Sequence, residues 1–329
     1  MNRTIVFNKK PRIVGASSIA GPKESMGSIS DFFDVKLNDD TYGQSTFEKA
    51  ESKMSYTVIK NSIIKASLKE EDIDAVIAGD LLNQIIASTF SIRNFGFGFL
   101  GIYNACATFT EALILGATLI DGGYLNNVIC TTSSHFSTAE RQYRYPLELG
   151  CTRPPQSQWT VTGAGASVIS LNGEGPKITM ATIGRVLDFG VVDVNNMGAA
   201  MAPATCDTIF THFVQTKTLP EDYDLIVTGD LGTLGSRILK DLIWEKGYDI
   251  EKQHVDCGEL VFNICESEYQ GGSGAGCSAL VFNSYLYKRL YDKKFKRILL
   301  ISTGALLSSV SSQQGDSIPG IAHAISIEL

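Results

Sequence analysis

The sequence predicts an α/β fold made of two similar halves with mostly parallel sheets, layered around buried central helices. Three observations carry this. Strand-like and helix-like segments alternate along the chain, the pattern of parallel sheets covered by helices. The segment DIDAVIAGDL (72–81) returns as DYDLIVTGDL (222–231), and self-similarity at so long a period marks an internal duplication. The run FTEALILGATLIDGG (109–123) is apolar on every side, as a helix is when it is buried all round. A middle layer shared by the two halves would bury it.

The elements follow in order. RIVGASSIAG (12–21) reads as a strand running into a Gly turn. Phe47, Ala50, Met54, Val58, Ile59 and Ile63 recur at helical spacing, so 46–68 is an amphipathic helix. IDAVIAGD (73–80) is a short apolar run stopped by Gly-Asp, a buried parallel strand. GIYNACA (101–107) reads as the next strand, and the apolar helix after it stops at Gly122-Gly123. NNVICTTSS (126–134) and GASVISLN (165–172) are further strands. In the second half KITMATIGRV (177–186), YDLIVTGD (223–230), ELVFN (259–263), RILLISTG (297–304) and AHAISIEL (322–329) read as strands. Segments 198–215, 236–247 and 273–291 read as helices. The turn-rich stretch 172–176 places the boundary, giving halves 1–172 and 173–329.

Length and composition narrow the function. The 329 residues are about twice a usual single domain. An apolar fraction of 44% and a charged fraction of 19% describe an ordinary globular chain. The net charge of −7 and pI near 5.2 argue against nucleic acid, which needs concentrated Lys and Arg. The longest apolar stretch, 95–109, is too short and too broken to span a bilayer. The start MNRTIVFNKKPRIV lacks the pattern of a signal peptide. Seven cysteines (106, 130, 151, 206, 257, 265 and 277) form no CxxC pair, so neither a zinc site nor another cofactor is expected. They read as reduced thiols of a cytosolic protein. The four histidines (135, 212, 254 and 323) are scattered.

Ligands of doubly wound folds bind at the carboxyl ends of strands. The polar residues there are Asp80, Cys106, Ser133, Ser134, His135, Asp230, Ser273, Thr303, Ser308 and His323. Cys106 stands at a strand-to-helix turn, where the helix dipole favours a thiolate. It reads as an activated nucleophile or as a small side chain filling a tight turn. His135 reads as a general base, a ligand donor or a satisfied structural histidine. Asp80 and Asp230 hold equivalent places; Asp80 reads as a helix cap, and Asp230 stays open. GGSGAGCSA (271–279) and TGAGAS (162–167) allow close backbone approach, and the former could cradle an anion. RQYRYP (141–146) and Arg153 put cations and aromatics on a loop, for an acidic ligand, an oligomer contact or solvent.

The duplicated order, with a Cys at the third strand-to-helix turn of the first half, resembles the thiolase superfamily of thiolases and ketoacyl synthases. More closely the chain resembles the stage V sporulation protein AD family, over nearly its whole length. The matching segments include AGPKE (20–24), AGDLLNQ (78–84), NACAT (104–108), TAERQYRYP (138–146), VTGAGA (161–166), MGAAMAPA (197–204), GGSGAGCSA (271–279), TGALLS (303–308) and IPGIAHA (318–324). The resemblance implies a thiolase-like αβαβα fold, a homodimer, and binding of dipicolinic acid (pyridine-2,6-dicarboxylate) or its calcium chelate. It also implies membrane-embedded partner subunits that move the compound into the forming spore. Condensing enzymes carry a His and a His or Asn where this chain has Gly229-Asp230 and Gly271-Gly272-Ser273. A thiolate without those partners lacks a general base and oxyanion stabilisation. The expectation is therefore a non-catalytic binder, a subunit at the inner spore membrane, with Cys106, Ser308, Ser273, Thr303, Asp230 and His135 as ligand residues. The rival is an acyltransferase or condensing enzyme using Cys106 as nucleophile.

Overall fold

The computed structural model describes residues 2–144, 149–263 and 269–329; Tyr145 and Pro146 of the RQYRYP run, and Cys265, lie outside them. Ten strands make the frame. In the first half they are β1 (Arg12–Ala20), β2 (Ala75–Gly79), β3 (Gly98–Gly101), β4 (Asn127–Ser134) and β5 (Gly163–Ser170). In the second they are β6 (Lys177–Thr182), β7 (Leu225–Thr228), β8 (His254–Asp256), β9 (Arg297–Ala305) and β10 (Gly320–Glu328). Their order is β3-β2-β4-β5-β1 in one half and β8-β7-β9-β10-β6 in the other, the same path twice. In each half the last strand in sequence runs against the other four. The two paths meet where Arg12 pairs with Lys177, and a short strand of the first half, Thr4–Val6, pairs antiparallel with β6.

Helices form three layers about these sheets. On the outer face of the first lie α1 (Phe47–Lys65) and α2 (Ile86–Ile92). Thr46 starts α1 by accepting the Lys49 N–H at 3.3 Å. A Cβ on Gly15 of β1 would stand 2.5 Å from the Ser62 carbonyl, so glycine is what lets α1 lie this close to the sheet. Between the sheets lies α3 (Thr108–Asp121), which packs on β2 and β4 from one side and on β9 and β10 from the other. Beside it runs a helix over 275–291, interrupted by the π-turn Phe282–Leu286. It touches β5 so closely that a Cβ on Gly165 would meet the Ala279 carbonyl at 2.2 Å. The second sheet is covered by α5 (Met197–Thr216) and α6 (Gly232–Glu245). Phe109, Leu113, Ile120, Leu280, Phe282, Ile298 and Ile325 share one buried cluster that spans both sheets.

Three expectations are corrected. The strand expected at 101–107 is instead β3 at Gly98–Gly101, on the exposed edge of the sheet. Ile102 still bonds Ala78, but Ala105 then turns into the left-handed region (φ 49°), which ends any strand. The expected strand 259–263 is largely the short helix Cys257–Val261, and the strand precedes it as β8. Asp256 causes this by accepting the Gly258 and Glu259 N–H groups as a helix cap. Finally, α3 is not buried on every side, because Leu115 is 39% exposed.

Candidate functional site

Where the carboxyl ends of β2, β7 and β9 approach the starts of the two central helices, a narrow pocket opens. Its walls include Leu81, Tyr103, Cys106, Tyr143, Arg144, Met197, Ser273, Gly274 and Leu307. About 40 Å³ of it is open to water-sized centres, room for a few waters. A wider groove of about 650 Å³ lies outside, and Tyr103, Tyr143 and Leu307 belong to both.

Cys106 is set by the turn before α3. Left-handed Ala105 redirects the chain, and Thr108 Oγ1 ties it by donating to the Ala105 carbonyl at 2.6 Å and accepting the Asn104 N–H at 2.9 Å. The thiol is only 7% exposed. Burial pushes its pKa well above the ordinary value, and the neighbouring Asp230 carboxylate pushes it further. Of the two readings of Cys106, these effects favour the small buried side chain over the activated nucleophile, because loss of water and a close anion oppose the thiolate.

Asp230 lies beneath this thiol. Thr303 Oγ1 donates to its Oδ1 at 2.6 Å, and the Gly274 N–H donates to its Oδ2 at 2.9 Å. Burial raises its pKa to about 6, against the hydrogen bonds from Thr303, Gly274 and Cys106 that lower it. Of the GGSG backbone, the Gly274 N–H thus serves the protein's own carboxylate. Asp80, its counterpart in the first half, accepts from Leu82 N, Ser88 N and Ser88 Oγ and so holds the start of α2, close to its expected capping role.

Arg144 brings positive charge to the pocket. It follows α4 (Phe136–Tyr143), and its side chain is 3% exposed. One arm donates to Glu140 Oε1 at 2.6 Å and to the Gln158 carbonyl at 3.2 Å; the other reaches Met197 Sδ at 3.9 Å. Arg153 also pairs with Glu140, at 3.2 Å, so two guanidinium groups share one buried carboxylate. Tyr143 donates to the Leu81 carbonyl, and the Tyr103 and Tyr143 hydroxyls are 3.0 Å apart.

The structure thus brings together Cys106, Ser273, Asp230 and Thr303. Two other expected residues lie elsewhere. Ser308 is exposed, caps the short helix Ser309–Gln313 and lines the outer groove, because β9 ends before the chain turns outward. His135 is buried as the cap of α4: its Nδ1 accepts the Ser137 N–H and its Nε2 meets the Asp40 carbonyl at 2.8 Å. Those bonds define a neutral ring, and burial lowers its pKa. His323 sits within β10 opposite Ser302, because that strand runs antiparallel. Its Nδ1 accepts the Gly184 N–H and its Nε2 meets the Asn104 amide at 2.8 Å. Tyr103 and Met197 are site residues that the sequence does not single out, whereas Tyr143 and Arg144 belong to the RQYRYP run, read as a loop for an acidic ligand, an oligomer contact or solvent.

Comparisons with known proteins agree with this fold. The profile of the family described as "Stage V sporulation protein AD (SpoVAD)" matches residues 1–328. The chain is 41% identical to stage V sporulation protein AD of Bacillus subtilis (strain 168) over 326 residues, covering 99% of this chain and 96% of that one. Among solved structures it is similar to 3-oxoacyl-acyl-carrier-protein synthase III from Aquifex aeolicus, with a TM-score of 0.59 at 13% identity, over 97% and 100% of the two chains. It is also similar to a variant form of OleA from Xanthomonas campestris, with a TM-score of 0.64 at 14% identity, over 98% and 99%. At such identities the likeness is one of fold, and that fold is thiolase-like. By the match along its whole length and the close relative in Bacillus subtilis, the chain belongs to the stage V sporulation protein AD family.

Proposed function

We propose that this protein binds dipicolinic acid, as the dianion or as its calcium chelate, in the Cys106 pocket. In this reading it is the non-catalytic subunit of a spore transport complex, acting in dipicolinate uptake during sporulation and release in germination. Membership of a sporulation protein family supports the role in sporulation. The observation that carries the ligand class is Arg144. One arm of this buried cation is paired with Glu140, and among the described residues its other arm meets a thioether at 3.9 Å, where a carboxylate would be a far better partner. Leu81, Met197 and Leu307 supply apolar walls for a flat ring. Cys106 and Ser273 border the same space, with Asp230 and Thr303 behind them.

Calorimetric titration with dipicolinate, with and without calcium, against pyridine-2-carboxylate tests this. Tighter binding of the dicarboxylate is expected, with at least a tenfold loss in Arg144→Lys, which keeps the charge but not the fork, and a smaller loss in Cys106→Ala. Equal affinity for both ligands, or an unchanged Arg144→Lys, would place the site elsewhere. The protein is further proposed to work at the inner spore membrane through membrane-embedded partner subunits. Among the described residues no helix is long and apolar enough to cross a membrane. It is also proposed to be a homodimer. The exposed edge strand β3, with Phe99 and Leu100 38% and 47% exposed, supports pairing with a second copy.

A second reading, acyl transfer by Cys106, rests on one observation: the cysteine sits on a sharp left-handed turn at the head of a buried helix, on a fold shared with 3-oxoacyl synthases. Mass spectrometry after incubation with short acyl-CoAs separates the two. A stable thioester on Cys106 supports the enzyme, and its absence supports the binder.

A further inference from the structure

A second groove lies outside the site, between α1 and α2, and it carries the opposite charge to the molecule as a whole. Gln44, Lys49, Ser52, Lys53, Tyr56, Phe90, Ser91, Arg93 and Asn94 line about 490 Å³ of it, and no Asp or Glu is among them. On α1 the side chains at 49, 53, 56 and 60 fall at helical spacing, so Lys49, Lys53, Tyr56 and Lys60 form one stripe. The acidic residues of the same helix are turned away: Glu51 is buried against Ser133 and Thr138, and Glu48 pairs with Arg141.

Among the described residues no carboxylate pairs with Lys49, Lys53 or Arg93. Lys49 Nζ bonds Ser45 Oγ at 3.1 Å, and Lys53 Nζ bonds the Tyr42 carbonyl at 2.9 Å while standing 4.0 Å over the Tyr42 ring. Arg93 lies 4.8 Å over the ring of Phe90, and Phe90 itself is 46% exposed. The groove thus gathers three cations without a lining carboxylate on a chain whose net charge is −7. The same groove carries these cations and the half-exposed phenyl group of Phe90. Cations meet phosphate headgroups at an anionic bilayer surface, and an apolar ring enters the boundary beneath them.

We infer that the groove between α1 and α2 is a docking surface for anionic lipid headgroups, with Lys49, Lys53 and Arg93 on the phosphates and Phe90 at the hydrocarbon boundary. It would hold the protein against a membrane without a spanning segment and independently of the Cys106 pocket.

Vesicle co-sedimentation of the full chain tests this, using phosphatidylglycerol–phosphatidylcholine vesicles and vesicles of phosphatidylcholine alone. Binding to the anionic vesicles only is expected, and it should be released by salt. Lys49→Glu, Lys53→Glu and Arg93→Glu together should weaken the partition by about a hundredfold, near the sum for three cations at such a surface. Phe90→Ala should weaken it in a salt-independent way. All four positions lie at the surface, and unchanged thermal unfolding of the variants separates lost docking from lost fold. Absence of wild-type binding, or a triple variant that binds as well as wild type, overturns the inference. A polyglutamate peptide that binds the wild type where vesicles do not also overturns it, in favour of an acidic protein partner. Neither result bears on dipicolinate, which is measured separately by calorimetry.

Discussion

At the scale of single residues, the pocket is governed by what surrounds Cys106 rather than by the cysteine. Its thiol is buried against an anionic neighbour, and both effects favour the protonated form. Nucleophilic attack needs the thiolate. In the native protein, iodoacetamide at pH 7.5 is therefore expected to label exposed Cys151 and to leave Cys106 unmodified. Peptide mass spectrometry with and without denaturant reads this out directly. Labelling of Cys106 as fast as Cys151 would show that the thiol is activated after all. The divergence of Asp80 and Asp230 belongs to the same scale. Two aspartates at matched places of the repeat now do different work, one holding α2 and the other facing the pocket thiol.

Among the elements, the second half depends on one carboxylate more than on any propensity. Asp256 Oδ1 accepts from Gly232, Gly258 and Glu259 N–H groups at 3.0–3.3 Å. Its Oδ2 accepts from Thr228 Oγ1 at 2.7 Å and Leu231 N at 2.8 Å. A single buried side chain thus ties the end of β7 to the starts of α6 and Cys257–Val261. Removing it strands several buried donors, each costing about 1–3 kcal/mol when unsatisfied. Asp256→Ala is expected to destabilise the fold by roughly 3 kcal/mol or more, and Asp256→Asn by less, as measured by urea unfolding. A loss under about 1 kcal/mol in Asp256→Ala would show that water takes over these bonds.

For the whole molecule, buried carboxyl groups make stability depend on pH. Glu24 and Glu51 are both pushed by burial to about 8, Glu51 also by nearby Asp80. A carboxyl raised in the folded state holds a proton that the unfolded chain gives up near pH 4.5. Folding then binds protons between the two values, and stability falls as pH rises from about 5 to about 8. Buried His212, His254 and His323 act in the opposite sense below 6.5, because their folded values are lowered. The informative comparison is thus wild type against Glu51→Gln, which removes one such proton. The variant should gain thermal stability relative to wild type at pH 8.5 and show little difference at pH 5.5. Parallel melting curves at both pH values would show that Glu51 is ionised throughout.

Also at this scale, the division at 172–173 is a proposal supported by the repeated strand order, and Thr4–Val6 crosses it to pair with β6. Much of the architecture was legible in the letters. Alternation, the AGDL and TGDL repeat and the apolar run at 109–123 were enough for the strands, the duplication and the middle layer, because periodicity and burial are local properties of a chain. The errors fell where a short apolar run does not declare its own form. GIYNACA became a turn because Ala105 adopts a left-handed conformation, and ELVFN became helical because the Asp256 side chain caps it.

The sequence by itself determined most of the strands and helices, the strand order repeated in the two sheets, and the place of Cys106 at the head of a central helix. Only the tertiary structure decided what that position means. It set Asp230 against the thiol, drew Arg144 out of an apparent loop into the pocket wall, and moved His135 and Ser308 out of the site. The physical reason is distance along the chain. Asp230 and Cys106 are contributed by different halves, and the desolvation and charge that set their protonation exist only once both are packed together.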